Sequence, residues 1–291
     1  MHIWPDCMPC IIRMSLNIAR TAVKDELKVK AFMEEILKSD HFNGHNWAIT
    51  APEIISDIWL MMEKSFGVSD PLKTIKAEQN KAALKMYPYA QEFILKSPDP
   101  FLASIKFAVS GNAIDIMTGS TKKPSKKFIK TLQGNEIDPK QVDVLKKRLA
   151  RAKKLVYLGD NCGEIVFDRL FMEVIRKQYD LKPIFVVRAV PVLNDATRAE
   201  ALQVGLDQVA TVMDNGVSKP VPGTLLKEAS PELIQRVQEA DLVISKGGGN
   251  YDLLSEEKSL TGKCTFLLQA KCEPYCMTHQ VQPGGLIVYN F

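Results

Sequence analysis

The spacing of apolar residues along the chain changes character near residue 154. Before that point, apolar side chains recur at the spacing of one face of an α-helix. After it, short apolar runs alternate with helical stretches, which is typical of a parallel sheet covered on both faces. We therefore predict an α/β protein. Its C-terminal part would be a three-layer α/β/α, Rossmann-like, mostly parallel sheet, and its N-terminal part a helical domain.

Helix starts in the first part are marked by a capping side chain followed by proline, which fits the first turn of a helix. This signal occurs as Thr50 with Pro52 and as Asp-Pro pairs at 70–71, 99–100 and 138–139. Two more helices are predicted after Cys10 and over residues 25–38. The domain boundaries that follow are a helical bundle or cap over 1–117, a linker and lead-in helix over 118–150, and an α/β/α domain over 151–291.

Apolar runs in the second part have the length and composition of strands, at 154–158, 183–188, 208–213, 241–245, 264–269 and 286–290. Helical spacing fills most of the gaps between them, at 163–178, 195–204 and 231–239. The last two strands are joined through a Pro-Gly-Gly turn at 283–285, a connection at which the parallel pattern can break.

Polar residues follow the predicted strands, and ligands of such sheets gather at the carboxyl ends of strands. These ends carry Asp160, Asn161 and Glu164, then Arg188, Asn194 and Asp195, then Asp214 and Asn215, then Lys246, Gly248, Gly249 and Asn250, and finally Lys271. Carboxylate and amide oxygens suit magnesium or manganese, while the basic side chains and the glycine backbone suit a phosphate. Each residue also has an ordinary explanation, such as a helix cap for Asp160 or Asp195. The whole set predicts a site for a metal and a phosphate.

The composition of the chain argues against nucleic-acid binding and against insertion into a membrane. The 38 basic and 34 acidic residues give a net charge of +4, and no basic run is interleaved with aromatics, so nucleic acid is not an expected partner. No apolar run has the length of a membrane span and no signal-peptide core is visible, so we expect a cytoplasmic protein.

The turn after the first strand lacks Gly-x-Gly-x-x-Gly, and no P-loop motif occurs. The second acid of an aspartyl-phosphate enzyme is also missing, since Cys162 stands there, which leaves metal-assisted attack on phosphorus.

These same stretches resemble the damage-control phosphatase family, once catalogued as domain of unknown function 89, over essentially the whole chain. The similarity rests on the Gly-Asp-Asn-Cys-Gly-Glu, Asn-Asp-Ala-Thr, Lys-Gly-Gly-Gly-Asn and Ala-Lys-Cys runs at 159–164, 194–197, 246–250 and 270–272. The Gly-Asn-Ala-Ile-Asp run at 111–115 and the N-terminal Cys-x-x-Cys fit the microbial branch. The resemblance implies a metal-dependent phosphatase that acts on small phosphorylated metabolites, such as sugar phosphates or damaged cofactor precursors.

By motif, the resemblance implies that Asp160, Asn161 and Asp195 hold the divalent cation, which would be magnesium, manganese, cobalt or nickel. The other matched positions would face the substrate: Glu164 beside it, Asn250 and Lys271 on the phosphoryl group, and Asn112 and Asp115 along the helical wall. As a mechanism, we expect the cation and Lys271 to neutralise the equatorial phosphoryl oxygens while Asp195 or Glu164 orients the attacking water.

Two other functions stay open at the sequence level. A distant branch of the same family has been suggested to methylate protein carboxyl groups, so a transferase that uses S-adenosylmethionine or a nucleotide is the enzymatic alternative. The non-enzymatic alternative is a binding module for a metal or a thiol ligand, based on the cysteines. Phosphate release that depends on a divalent metal would separate the phosphatase from both.

The six cysteines include two close pairs, Cys7 with Cys10 and Cys272 with Cys276. The pairs predict a structural zinc site with four thiolates, a redox pair or disulfide, or inert buried thiols. In the cytoplasm a disulfide framework is the exception. Because Cys272 directly follows Lys271, anything that binds Cys272 would also fix the rear of the predicted site.

Overall fold

The structure is a computed structural model that describes residues 1–111, 134 and 136–291. The described residues form a six-stranded sheet whose strands are β1 (Leu155–Leu158), β2 (Ile184–Val187), β3 (Thr211–Asp214), β4 (Leu242–Lys246), β5 (Cys264–Gln269) and β6 (Leu286–Asn290). Their order is β3-β2-β1-β4-β5-β6, with β6 antiparallel to β5 and all other pairs parallel. The mostly parallel α/β fold and the break at the last strand are thus confirmed. The direction of winding reverses between β1 and β4, where such sheets open a crevice for ligands.

Eleven α-helices surround this sheet in the part of the chain that the structure describes. Those before the sheet are α1 (Cys7–Ala22), α2 (Glu26–Lys38), α3 (Ala51–Phe66), α4 (Lys73–Lys96), α5 (Pro100–Ser110) and α6 (Pro139–Arg151). Those between or after strands are α7 (Glu164–Gln178), α8 (Arg198–Gln203), α9 (Pro231–Glu239), α10 (Gly247–Leu254) and α11 (Glu273–His279). Among these described helices, none combines the length and the hydropathy needed to cross a membrane.

Most predicted helix starts are confirmed by their caps. Thr50 and Glu53 form a reciprocal capping box at α3, and Asp99 accepts the N–H of Leu102 at α5. The Asp-Pro pair at 70–71 is an exception, because α4 begins only at residue 73 and the Asp70 carboxylate pairs with a buried lysine instead.

The chain between β2 and β3 also departs from the prediction. The helix expected over 195–204 begins at residue 198, with Thr197 as its cap, because Asp195 is bridged to the turn after β1. The strand expected from residue 208 begins at 211, since residues 206–208 form a turn of 3-10 helix after Gly205. Asp195 is therefore not a helix cap.

The hydrophobic core lies on both faces of the sheet, because alternate strand residues point to opposite sides. One face carries α4 to α7, and Phe101 and Phe107 of α5 contact Phe171 and Phe167 of α7 with ring centroids 5.6 and 5.8 Å apart. The other face carries α9, α10 and α11. A third cluster joins α1, α2 and α3 and includes Val192 from the loop after β2. The predicted helical part thus packs directly against the segments that follow β1 and β2, and the domain boundaries stay a prediction.

Candidate active site

The turn after β1 and the turn after β2 are held together by main-chain hydrogen bonds. Ala196 donates its N–H to the Asp160 carbonyl, and Cys162 donates to the Asn194 carbonyl, both at 2.8 Å. The Asn161 amide donates to Asp160 Oδ2, also at 2.8 Å. Asn161 and Asp195 form an isolated antiparallel bridge. The three residues predicted to hold a cation, Asp160, Asn161 and Asp195, are therefore brought together.

A buried arginine lies between the two carboxylates of this group. Arg188 donates from Nε to Asp195 Oδ2 at 2.7 Å, and its Nη2 lies 3.6 Å from Asp160 Oδ1. Its Nη1 donates to Thr224 Oγ1 at 3.3 Å, while Nη2 has no hydrogen-bond partner among the described residues. Arg188 was expected to bind phosphate; in the structure it is the counter-charge of the predicted metal ligands.

Both carboxyl groups are buried, and their pKa values reflect it. Burial raises the pKa of Asp160 well above its ordinary value, the carboxylates of Asp195 and Glu164 raise it further, and Arg188 and Lys271 lower it. Burial likewise raises the pKa of Asp195, against the effect of Arg188. A divalent cation in the same space would favour the ionised forms of both groups.

The oxygen donors around this turn fit a hard cation. In addition to the two carboxylates and the Asn161 amide, Glu164 Oε2 and Asn250 Oδ1 are buried oxygens without a hydrogen-bond partner in the described part of the chain. Oxygen-only donor sets are those of magnesium and manganese. Within residues 1–111, 134 and 136–291, no three His, Cys, Asp or Glu side chains are grouped closely enough to hold a metal, so any such site depends on the amides.

The glycine-rich turn after β4 lies against Asp160. Gly247 has φ +79°, and a Cβ there would lie 1.8 Å from Asp160 Oδ2, so both the backbone conformation and the close approach require glycine. Gly248 and Gly249 are equally confined, by the Tyr275 hydroxyl and the Pro222 carbonyl, each 2.6 Å from where a Cβ would stand. This turn opens α10, whose first N–H groups have no partner within the helix and lie beside Asp160.

Asn250 connects this turn to the end of β1. Its side-chain Nδ2 donates to the carbonyls of Gly159 at 3.0 Å and Lys246 at 2.8 Å. These bonds join the ends of β1 and β4, the two strands that flank the crevice. The amide oxygen is left as an acceptor at the floor of that crevice.

Lys246 is fully buried at the end of β4. Its ammonium donates to Glu164 Oε1, to Asp168 Oδ1 at 2.7 Å and to the Ala108 carbonyl at 2.8 Å, which uses all three of its N–H groups. Burial lowers the pKa of Lys246, but the two carboxylates outweigh it and raise that pKa above its ordinary value. Predicted to bind phosphate, Lys246 instead supports Glu164 from behind.

Asp168 is a buried carboxyl of this cluster that the sequence reasoning missed. It lies one helical turn after Glu164 on α7, and it accepts a hydrogen bond from the Tyr157 hydroxyl at 2.7 Å. Burial raises the pKa of Asp168 to about 6, while Lys246 and the Tyr157 hydrogen bond act to lower it. The four-residue spacing from Glu164 was the available signal, because side chains at that spacing share one face of a helix.

The remaining predicted residues are placed less centrally. Lys271 is exposed at the end of β5, yet its charge lies near enough to Asp160 to lower the pKa of that carboxyl. Asn215 holds its own turn, accepting the N–H groups of Ala189 and Val217 at 3.0 and 3.2 Å. Asn112 and Asp115 lie outside the described residues.

All six cysteines are free thiols in the structure. Cys7 begins α1, and Cys272 precedes α11. Burial raises the pKa of Cys272 to about 11, and Cys7 and Cys10 are near enough to contribute. The first pair and Cys272 are thus neighbours, while the zinc and redox roles, including that of Cys276, stay predictions.

Comparison with known proteins agrees with this geometry. The model of the damage-control phosphatase ARMT1-like domain matches residues 3–287. The chain is 30% identical to a damage-control phosphatase of Archaeoglobus fulgidus, over 99% of this chain and 98% of the relative. It is 33% identical to an uncharacterized protein of Methanocaldococcus jannaschii, over 99% and 95%. The crystal structure of a DUF89 family protein from Pyrococcus horikoshii superposes with a TM-score of 0.87 at 26% identity, covering 100% of this chain and 99% of that one.

Proposed function

The chain belongs to the damage-control phosphatase ARMT1-like family, and from that premise we propose that it hydrolyses phosphomonoesters of small metabolites with the help of a divalent cation. One observation carries the proposal. Two buried carboxylates and an amide come together from the ends of β1 and β2, and one of them, Asp160, lies directly against the N-terminus of α10. This arrangement offers oxygen ligands for a cation and N–H groups for a phosphate within one crevice.

Asp160, Asn161 and Asp195 would hold the cation, which we expect to be magnesium, manganese, cobalt or nickel. When bound, such a cation neutralises phosphoryl oxygens and lowers the pKa of water. Arg188 fixes the carboxylate of Asp195 through the hydrogen bond at 2.7 Å, so the ligand is oriented before anything binds. Pre-orientation of this kind removes the cost of rearranging polar groups during the reaction.

The phosphoryl group would be bound by the N–H groups of Gly248 and Gly249 and by Lys271. Asn250, predicted to join them, has its Nδ2 bonded to two main-chain carbonyls, and its remaining oxygen would suit the cation instead. Lys271 is the most adaptable of the phosphate ligands, because its side chain is exposed and its charge reaches the Asp160 region. Its ammonium would neutralise an equatorial oxygen, the main electrostatic task in phosphoryl transfer. The organic part of the substrate would extend out of the crevice, where a small metabolite fits better than a macromolecule.

Glu164 is the residue we assign to the attacking water. Its Oε1 is held by Lys246, and its Oε2 is buried without a partner among the residues that the structure describes. Asp195, the other candidate, already has its Oδ2 bound to Arg188. Glu164 would accept a hydrogen bond from the water through Oε2 and take up its proton as the new P–O bond forms and the ester P–O bond breaks. The leaving alkoxide would then take a proton from solvent water.

The test is phosphate release from a panel of phosphomonoesters by metal-stripped protein, with magnesium, manganese, cobalt or nickel added back. Asp160→Ala is the diagnostic variant. Asp214→Ala is its matched control, since Asp214 ends β3 on the same sheet and accepts only a local bond from Gly216 in its own turn. We expect metal-dependent release that Asp160→Ala abolishes and Asp214→Ala retains. No release with any metal, or equal release by both variants, would refute the proposal.

A further inference from the structure

One face of α4 contacts both turns of the proposed metal site. Lys76, Gln79 and Asn80 are spaced so that they share one side of the helix. Lys76 and Asn80 are fully buried, although α4 belongs to the helical part of the chain and lies far from these turns in sequence. Polar side chains buried at such a boundary need specific partners. Their partners are the segments after β1 and β2.

Asn80 reaches the turn after β1. Its Oδ1 accepts the N–H of Gly163 at 2.7 Å, and its Nδ2 donates to Gln203 Oε1 at 3.3 Å. Gly163 has φ +81° and stands between Asn161 and Glu164, the first residue of α7. The first N–H groups of a helix have no partner within it, and Gly163, the N-cap residue of α7, has no side chain that could bind them. Asn80 supplies the missing acceptor from 83 residues away.

Gln79 and Lys76 reach the turn after β2. Gln79 Oε1 accepts from the Asn194 side chain at 3.3 Å, next to Asp195. Lys76 Nζ lies 3.3 Å from Glu200 Oε1, and Glu200 Oε2 in turn accepts the N–H of Thr197 at 2.9 Å. The same helical face therefore holds the second turn at two points.

We propose that Asn80 is a positioning residue for the phosphatase reaction, in that it sets the orientation of the turn that carries Asp160, Asn161 and Glu164. The inference rests on the proposed function. Its physical basis is that a hydrogen bond to Gly163 fixes the peptide between the metal ligands and the residue assigned to water. A ligand displaced by a fraction of an ångström weakens cation binding and slows the reaction, while substrate binding by α10 and Lys271 is little affected.

The test compares two substitutions at one position. Asn80→Leu keeps the size of the side chain and removes both hydrogen bonds. Asn80→Asp keeps an acceptor for Gly163, and a reversed Gln203 amide can donate to its second oxygen. Gln203→Leu is the matched control, because it removes only the bond at the far end of Asn80. Asn80→Ser, too short to reach Gly163, replaces Asn80→Leu if thermal unfolding shows that the leucine variant does not fold.

The readouts are kcat, KM, the manganese concentration for half-maximal activity, and manganese binding by calorimetry without substrate. For Asn80→Leu we expect kcat to fall by about 10- to 100-fold, with weaker manganese binding and a KM within about threefold of the wild type. Asn80→Asp and Gln203→Leu should stay within about threefold of the wild type in every readout.

The inference is overturned if folded Asn80→Leu binds manganese and turns over like the wild type, or if Gln203→Leu loses as much as Asn80→Leu. The failure of the proposed function looks different. In that case the wild type itself releases no phosphate with any metal. The calorimetric comparison of manganese binding by the wild type and by Asn80→Leu then tests whether Asn80 positions the turn.

Discussion

Two buried clusters, each of one cation and two carboxylates, lie at the same edge of the sheet and differ in whether every N–H donor of the cation is paired. In the Lys246 cluster, the ammonium donates to two carboxylates of α7 and to a main-chain carbonyl. Carboxylate oxygens without a partner among the described residues also occur in this cluster, at Glu164 Oε2 and Asp168 Oδ2. In the Arg188 cluster, the guanidinium bonds Asp195 at 2.7 Å, but its Nη2 lies 3.6 Å from Asp160 and lacks a hydrogen-bond partner in the described residues. One cluster is closed and the other is open.

The difference separates a structural role from a ligand-binding role. A buried ion pair with every donor used contributes mainly by holding its elements in register, and removing one partner leaves an uncompensated charge. A buried cation with an unused N–H donor keeps a place for a further acceptor, and such donors are rare in folded proteins. The Lys246 cluster therefore fixes α5, α7 and β4, and the Arg188 cluster is where a ligand completes the structure. Glu164 belongs to the closed cluster through Oε1, and its charge is near enough to the open one to raise the pKa of Asp160.

Replacing the cation of the closed cluster should give the largest change in stability. Lys246→Met leaves Glu164 and Asp168 buried without a counter-charge, so we expect the free energy of unfolding to fall by about 3–5 kcal/mol. Urea unfolding at pH 7 measures it. Lys154→Met is the control, since Lys154 is exposed and its pair with Glu239 should contribute less than about 1 kcal/mol. A loss as small as the control's would mean that the closed cluster is not structural.

In the open cluster, the same kind of change should affect activity instead of stability. Asp160→Asn keeps the shape of the side chain and removes a charge from the proposed cation site, so we expect kcat/KM to fall by about 10²- to 10³-fold. The free energy of unfolding should change by less than about 1 kcal/mol. Steady-state kinetics at saturating manganese, beside urea unfolding, checks both. The contrast with Lys246→Met disappears if Asp160→Asn is fully active or strongly destabilised.

Two glycines make it possible to distinguish the effect of a displaced Asp160 on activity from the effect of backbone strain on stability. Gly247 and Gly262 have nearly equal φ values, +79° and +82°, but only at Gly247 would a Cβ collide with Asp160. Alanine at either position should cost about 1–2 kcal/mol of stability through its φ. Only Gly247→Ala should also lose metal-activated phosphate release, by about 10- to 100-fold. Equal activity in the two variants would show that the approach of Asp160 to this turn is not needed.

The smallest expected effect is a pH dependence within the closed cluster. Burial raises the pKa of Asp168 to about 6 in the folded protein from its ordinary value of 3.8, so the folded state holds its proton more tightly than the unfolded chain. This stabilising contribution is complete below pH 3.8 and is lost as the pH rises through about 6.

Asp168→Asn should remove that decline, since its Oδ1 can still accept from Tyr157 and Lys246. The slope of unfolding free energy against pH between about 4 and 6 should therefore differ from the wild type by at most about 1.4 kcal/mol per pH unit. Urea unfolding at several pH values gives this slope. If the slope of unfolding free energy against pH is the same in Asp168→Asn and the wild type, the group that titrates in this range is not Asp168.

The parts of the fold that depend on local sequence could be predicted. Asp99 and Thr50 cap their helices because their partners are three residues away, and the strand segments were visible as apolar runs. The start of α4 was not predicted, because the Asp70 carboxylate pairs with the ammonium of Lys76 and does not cap the first turn of the helix.

The site could be predicted only as a set of residues at strand ends. Lys246 and Lys271 both follow strands and look alike in sequence, yet one is fully buried between carboxylates and the other is exposed. Burial of this kind depends on how α5 and α7 pack, which no local pattern records. Asn80 was missed for the same reason, since its partner Gly163 is distant in the chain.

The most direct test of the central claim is the position of manganese in crystals of the protein soaked with that cation, located by anomalous scattering. The account predicts one strong peak between Asp160 and Asp195, about 2 Å from their carboxylate oxygens. The same peak should be absent from Asp160→Asn crystals treated identically. A crevice without a peak in the wild type, or a peak only at the cysteines near α1 and α11, would contradict the assignment of the open cluster as the metal site.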